Sequence, residues 1–147
     1  MALIDELAEV NVDWARCRAV VRADNPFLVV GRLPAWILVE YMAQSVAVFA
    51  GYARASGGGE YRHGLLLGCR NLWLADVALE VGSRLEIEVN EVARYEQLGS
   101  FNGKVTWGDT DAAKGTISVY ETREWPTRRT GCGSGRRDED IDDRSQR

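Results

Sequence analysis

The sequence predicts an α+β domain in which a curved antiparallel sheet wraps around one long helix, over about residues 34–56. Two strand-like segments precede this helix and four follow it at hairpin spacing, and no internal repeat is present. Tight connections between consecutive strands imply antiparallel pairing. A helix that is apolar on every face must be buried in protein or in a membrane. A strongly curved sheet around the helix satisfies both conditions.

The composition is that of a soluble globular protein with one domain. The chain has 147 residues, of which 46% are hydrophobic and 27% charged. A net charge of -4 argues against a general nucleic-acid binder. The three cysteines, Cys17, Cys69 and Cys132, are far apart, which predicts reduced thiols in the cytoplasm. Because His63 is the only histidine, no zinc or other metal site is expected.

Neither targeting nor membrane insertion is expected. The first ten residues carry three acids and no base, unlike a signal peptide. Residues 33–55 approach the roughly 20 residues that span a bilayer. Glu40 and Gln44 in the middle of this run would be costly in lipid, so we expect no membrane contact and a cytoplasmic location.

The segment before the helix contains two predicted strands. Residues 2–10 are a short apolar-rich strand. Residues 12–24 alternate between a face of small apolar side chains, which we expect to pack on the helix, and a face that carries arginines. Asn25-Pro26 ends this strand and begins a loop to Pro34.

The helix has clear signals at both ends and two polar residues inside. Pro34 suits a helix start, because the N–H groups of the first turn have no intrahelical partners. The Ser56-Gly57-Gly58-Gly59 run ends it. Glu40 and Gln44 are four residues apart and therefore share one face. Since a buried acid is unfavourable unless it is hydrogen-bonded, we interpret Glu40 as the mark of an active face.

Strands dominate the rest of the domain. Alternating apolar residues and turn signals predict four strands and three turns: strands at 65–74, 84–90, 100–107 and 112–120, and turns at 80–83, 95–99 and 108–111. We place the domain at residues 1–122. Residues 123–147 are rich in Arg, Asp, Gly and Ser and are expected to form a charged, disordered tail.

Several motifs, in order, resemble the 3-hydroxyacyl-[acyl-carrier-protein] dehydratases of the FabZ/FabA type. Pro34–Gln44 is similar to their helix start, Val81–Leu85 to their Pro-Gly-Asp-x-Leu turn, and Gly99–Gly103 to their Gly-x-Phe-x-Gly strand. Residues 33–36 and 64–70 most resemble the dehydratase-like proteins of aryl-polyene biosynthesis clusters. The resemblance covers about residues 1–121 and implies the hotdog fold.

The resemblance also implies a substrate, a chemistry and an assembly. Family members form homodimers, heterodimers with another hotdog protein, or higher oligomers, with active sites at the subunit interface. The acyl chain is a thioester on the phosphopantetheine of an acyl carrier protein or of CoA, and no other cofactor is expected. A histidine removes the C2 proton, and the helix acid assists departure of the C3 hydroxyl. On this basis Glu40 is the helix acid, Gln44 its companion, and Ala35 holds the amide that polarises the thioester oxygen. Gln44, Trp36 and Asn25 are also predicted substrate contacts.

One position departs from the family pattern. The dehydratase histidine stands fourteen residues before the helix acid, and Pro26 occupies that place here. Proline has no ionisable group and cannot act as a base. His63 is most simply a loop residue, and as the only imidazole it is also a candidate displaced base. Three interpretations therefore stay open: a dehydratase, a non-catalytic or half-site subunit of a hotdog heterodimer, and an acyl thioesterase in which Glu40 activates water.

Two further groups of residues are candidate contact surfaces. Five arginines could receive an acidic carrier protein, or could be solvated surface charge: Arg16, Arg18, Arg22, Arg62 and Arg70. Three tryptophans are expected in the core or at an interface rather than in an acyl tunnel: Trp14, Trp36 and Trp73.

Overall fold

The computed structural model describes residues 2–60 and 62–123. A short 3₁₀ turn at Ala35–Ile37 leads directly into a single α-helix, α1, at Leu38–Ser56. The strands in chain order are β1 (Glu6–Val10), β2 (Trp14–Val20), β3 (Arg32–Leu33), β4 (His63–Leu74), β5 (Leu79–Glu80), β6 (Arg84–Tyr95), β7 (Leu98–Trp107) and β8 (Thr110–Thr122).

The fold is the hotdog architecture that the sequence predicts. Six strands form an antiparallel sheet in the order β1-β2-β6-β7-β8-β4, and α1 packs on one side of it. Within this six-stranded sheet, two strands precede the helix and four follow it, which confirms the predicted element order. The pairing of β3 with β5 forms a second, two-stranded sheet. Strands of two residues are too short to show an alternating pattern, which is why the sequence did not indicate them.

The helix and the sheet meet through complementary side chains. The small face of β2 is buried as predicted, with Ala15, Cys17 and Ala19 beneath the helix. The sheet-facing side of α1 consists of Leu38, Tyr41, Met42, Ser45, Val46 and Phe49. The expectation that the helix is covered on every face is wrong for the single chain, because Ala47, Tyr52 and Ala53 are exposed. The sheet covers one side of α1 and leaves the side nearest the β4 edge open.

Several boundaries differ from the sequence-based expectation. The helix predicted from about residue 34 begins as the 3₁₀ turn, and α1 itself begins at Leu38. The turn predicted at residues 108–111 is only Gly108-Asp109, because β8 already begins at Thr110. The turn predicted at residues 95–99 is only Glu96-Gln97, because β6 and β7 continue to Tyr95 and from Leu98. Glu96 has a φ of 52°, which closes this tight hairpin. The predicted tail at residues 123–147 lies outside the described residues from position 124 onwards. Within residues 2–60 and 62–123, no helix combines the length and the apolar character that crossing a membrane requires.

Gly103 on β7 allows the helix to approach the sheet closely. A Cβ at this position would lie 2.6 Å from Sδ of Met42 and 3.3 Å from its Cβ. We expect Gly103→Ala to lower the free energy of unfolding by about 2 kcal/mol, because the helix must shift or Met42 must leave its rotamer. Chemical denaturation measures this. Gly68→Ala on β4, where a Cβ meets nothing within 4 Å, is the matched control; equal stability of the two variants would contradict the prediction.

Candidate active site

A cleft of about 310 Å³ runs between α1 and the neighbouring edge of the sheet. Small residues of the helix make room for it: Ala43, Ala47, Ala50 and Gly51. The strand side consists of Gly64, Leu65, Leu66 and Val119. Glu40 and Gln44 lie at the end nearest the start of the helix, and Arg54, Arg62 and Glu121 lie at the other. The open face of the helix is therefore also the face that carries the predicted acid.

Glu40 and Gln44 are brought together as the spacing predicts. The Gln44 Nε2 group donates a hydrogen bond of 3.1 Å to Oε1 of Glu40. The Oε1 atom of Gln44 accepts a hydrogen bond of 2.7 Å from the backbone N–H of Leu3. Gln44 thus links the segment before β1 to the helix and orients the carboxylate. The hydrogen bond from Gln44 holds the Glu40 carboxylate in place. Because Glu40 is only half-buried, the carboxylate is still accessible to a ligand in the cleft.

Asn25 lies elsewhere and has a structural environment. Its Nδ2 group donates to the Tyr41 hydroxyl at 3.1 Å, and its Oδ1 accepts from the backbone N–H of Phe27 at 2.9 Å. Both Asn25 and Tyr41 are buried, and burial raises the pKa of Tyr41. The pair anchors the loop that contains the exposed Pro26. Asn25 does not line the cleft, and its role as a substrate contact stays a prediction.

Ala35 and Trp36 form the 3₁₀ turn that precedes α1. No side chain caps this turn, and the Trp36 side chain is 63% exposed. Neither residue lines the cleft of the single chain. Their predicted contacts with a thioester therefore remain predictions.

His63 is the first residue of β4 and pairs with Thr122 of β8. It is half-buried and, unlike its neighbours Arg62 and Gly64, does not line the cleft. No imidazole therefore lines this cleft in the described part of the chain. The acid that the family pattern requires is in the cleft, and a histidine to act with it is not.

A buried ion network closes the far end of the cleft and was not predicted. Glu121 is buried, and its two carboxylate oxygens contact the guanidinium groups of Arg54 and, at 3.3 Å, Arg94. Arg94 also contacts Glu91 at 2.8 Å. The sequence holds one signal for this network. In the alternation of β8, Glu121 falls on the same buried face as Ile117 and Val119.

The predicted arginine surface divides into two groups. Acids on the outer face of the sheet neutralise three of its members: Arg16 contacts Glu9, Glu86 and Glu88, Arg18 contacts Glu6 and Glu86, and Arg22 contacts Asp5. Arg62 and Arg70 have no acidic partner within 4 Å among the described residues. Arg62 lines the cleft, and Arg70 is exposed on β4.

None of the three predicted core or interface tryptophans lies in the core. Trp14 is half-buried under a cation–π contact from Arg16, at 4.9 Å from the ring centroid. Trp36 and Trp73 are exposed. Both indole rings therefore expose apolar area at the surface of the single chain, and Trp73 adds to the exposed apolar area of strand β4.

Comparison with known proteins agrees with the fold and identifies a family. The sequence model of the ApeP-like family, described as ApeP dehydratase, matches residues 1–128. The chain belongs to the ApeP-like dehydratase family. The structure is similar to the dehydratase heterocomplex ApeI:P from Xenorhabdus doucetiae, with 30% identity over 84% of each chain and a TM-score of 0.79. No curated protein matched the chain.

Two more distant structures share the fold of this ApeP-like chain. The TT0310 protein from Thermus thermophilus is 22% identical, with a TM-score of 0.57, and the match covers 78% of this chain and 89% of that one. A hypothetical thioesterase from Streptococcus pneumoniae, solved with coenzyme A, is 15% identical over 80% of this chain and 84% of that one, with a TM-score of 0.59. At these identities the similarity concerns the fold alone.

Proposed function

We propose that this chain is the acid-donating subunit of a 3-hydroxyacyl-thioester dehydratase, and that a second hotdog subunit supplies the base. The observation that carries the proposal is the cleft itself, in which Gln44 holds Glu40 and no histidine is present among the described residues. Membership in the ApeP-like family supports the dehydratase chemistry. The substrate is an acyl thioester on phosphopantetheine, no other cofactor takes part, and the reaction takes place in the cytoplasm.

The reaction divides between two groups on opposite sides of the substrate. A base from the partner removes the C2 proton, and the electron pair of the broken C2–H bond forms the C2–C3 double bond. The C3–O bond breaks, and the leaving hydroxyl takes the proton of Glu40 and departs as water. Glu40 is a carboxylic acid at the start of the step and a carboxylate at its end, and the base returns the proton through solvent. General acid and base groups of this kind each contribute about 10²- to 10⁴-fold in rate.

The edge of the sheet supports assembly with a partner. Strand β4 has 12 residues and is hydrogen-bonded only to β8 among the described strands, so the backbone groups along its other side are open. It also exposes four large apolar side chains: Leu66, Leu67, Leu72 and Trp73. Long apolar edges of this kind are templates for pairing with another strand. The open face of α1 lies beside this edge, so a partner that pairs with β4 would also cover the cleft.

A turnover assay with a 3-hydroxyacyl carrier-protein thioester tests the proposal. We expect little or no dehydration by the chain alone and formation of the 2,3-enoyl thioester when a hotdog dehydratase partner is added. Turnover by the chain alone would contradict the half-site assignment and indicate a base within this chain, for which His63 is the candidate. Release of free acid would identify a thioesterase.

Charge on the β4 edge should disrupt assembly. Leu67 is 58% exposed on β4, and a lysine there would carry its charge into an apolar interface. We expect Leu67→Lys to weaken the association of subunits by about tenfold or more, measured by analytical ultracentrifugation. Val12→Lys, at a side chain 94% exposed between β1 and β2, is the matched control. If both variants associate like the wild type, β4 is not the interface.

A further inference from the structure

The two ends of the cleft have opposite chemical character. Glu40 and Arg54 both line it and lie fourteen positions apart on the same helix. At 1.5 Å of rise per residue, this separates their Cα atoms by about 21 Å. Small apolar side chains of α1 line the space between them. An elongated ligand in the cleft would therefore meet a carboxyl group at one end and guanidinium groups at the other.

The guanidinium end has one more positive charge than its carboxylates balance. Two carboxylates, those of Glu121 and Glu91, lie near three guanidinium groups, those of Arg54, Arg62 and Arg94. Arg54 and Arg94 contact these acids, whereas Arg62 has no acidic partner within 4 Å among the described residues. Arg62 is nevertheless half-buried. A partly desolvated charge without a counter-ion is unfavourable, and a bound anion would remove that penalty.

The surroundings of Arg54 agree with this imbalance. Burial, together with the nearby charges of Arg62 and Arg94, lowers the pKa of Arg54. The neighbouring positive charges are thus close enough to repel one another across the end of the cleft. An anion placed between Arg54 and Arg62 would relieve that repulsion and form charge-assisted hydrogen bonds, for which the planar guanidinium is well suited.

We propose that Arg62, together with Arg54, binds the phosphate of the phosphopantetheine arm whose thioester reaches Glu40. This rests on the proposed function. The arm has about thirteen bonds from phosphorus to sulfur, and at about 1.2 Å of advance per bond it extends ~16 Å. Three further bonds to C3 of the acyl chain bring the reacting carbon to ~19 Å from the phosphorus. This length matches the separation of the two ends of the cleft.

A pair of ligands that differ only in the phosphate tests the assignment. Calorimetric titration of the full-length assembled protein would compare saturated acyl thioesters of pantetheine and of 4′-phosphopantetheine, which lack the leaving hydroxyl and are not dehydrated. We expect the wild type to bind the phosphorylated ligand about tenfold or more tightly, as for hydrogen bonds to a charged group. Arg62→Ala should remove this preference and leave the affinity for the pantetheine thioester unchanged. Arg84→Ala, at an exposed arginine that lines a separate groove on the outer face of the sheet, should retain it.

Each outcome separates the phosphate site from the proposed function. If the pantetheine and phosphopantetheine thioesters bind equally and their 3-hydroxyacyl forms are dehydrated, the phosphate site is absent and the dehydratase function stands. If binding depends on the phosphate and on Arg62 without any turnover in the presence of the partner, the site stands and the function fails. If neither ligand binds, both fail. An effect of Arg62→Ala seen only with the carrier-protein thioester, and not with the small ligands, would overturn the proposal in favour of contact with the carrier protein's own surface.

Discussion

Glu40→Gln is expected to reduce dehydration by the assembled protein about 10²- to 10⁴-fold in kcat. The amide has the shape of the carboxyl group, and its oxygen can still accept the hydrogen bond from Nε2 of Gln44. It cannot give a proton to the departing hydroxyl. Because the site geometry is preserved, substrate affinity should change little. The fall should appear in kcat rather than in KM.

Two comparisons make the Glu40 measurement decisive. Glu60→Gln changes an exposed acid outside the cleft and should leave the rate unchanged. Gln44→Ala removes the group that orients the acid, and we expect a smaller loss than for Glu40→Gln, because the proton donor remains. Full activity of Glu40→Gln in the presence of the partner would show that the partner supplies both acid and base. This chain would then be a non-catalytic subunit.

The sequence predicts the helix and the acid because both depend on local patterns. Pro34, the glycine run after Ser56 and the apolar residues between them define a helix without reference to the rest of the chain. The spacing of Glu40 and Gln44 places them on one face of that helix, and the hydrogen bond between them follows. Alternation along the later strands determines which side chains face the helix. These features depend only on residues that are close in sequence. The structure confirms the helix, the Glu40–Gln44 hydrogen bond and the buried faces of the strands.

The features that the sequence does not predict depend on contacts between distant elements. The helix is apolar all round, yet nothing in its sequence says that the sheet covers only one side of it. Arg54 and Glu121 are 67 positions apart, and they meet only because the end of α1 packs beside the end of β8. The same holds for Arg62, which looked like one of several surface arginines. Only the fold shows that Arg16, Arg18 and Arg22 form ion pairs with nearby acids. Arg62 forms none within 4 Å among the described residues.

Glu121→Gln is expected to lower the free energy of unfolding by about 3 kcal/mol, the cost of removing one partner from a buried ion network. The carboxylate is buried between Arg54 and Arg94, so its loss leaves partly desolvated guanidiniums that repel one another. For a domain of this size the melting temperature should fall by on the order of 10 °C. Thermal and chemical denaturation measure both quantities. Glu60→Gln, which removes an exposed carboxylate 4.0 Å from Arg123, should change stability by less than about 0.5 kcal/mol.

A double-mutant cycle distinguishes lost pairing from lost packing at Glu121. If the destabilisation comes from unpaired guanidiniums, removing Arg54 as well should restore part of the stability, because fewer positive charges then lack a partner. We therefore expect Glu121→Gln/Arg54→Met to be more stable than the sum of the two single changes predicts. Strict additivity would mean that Arg54 and Glu121 act independently. The end of the cleft would then be stabilised by packing. Arg94 would be the only guanidinium near Arg62 whose charge Glu121 balances.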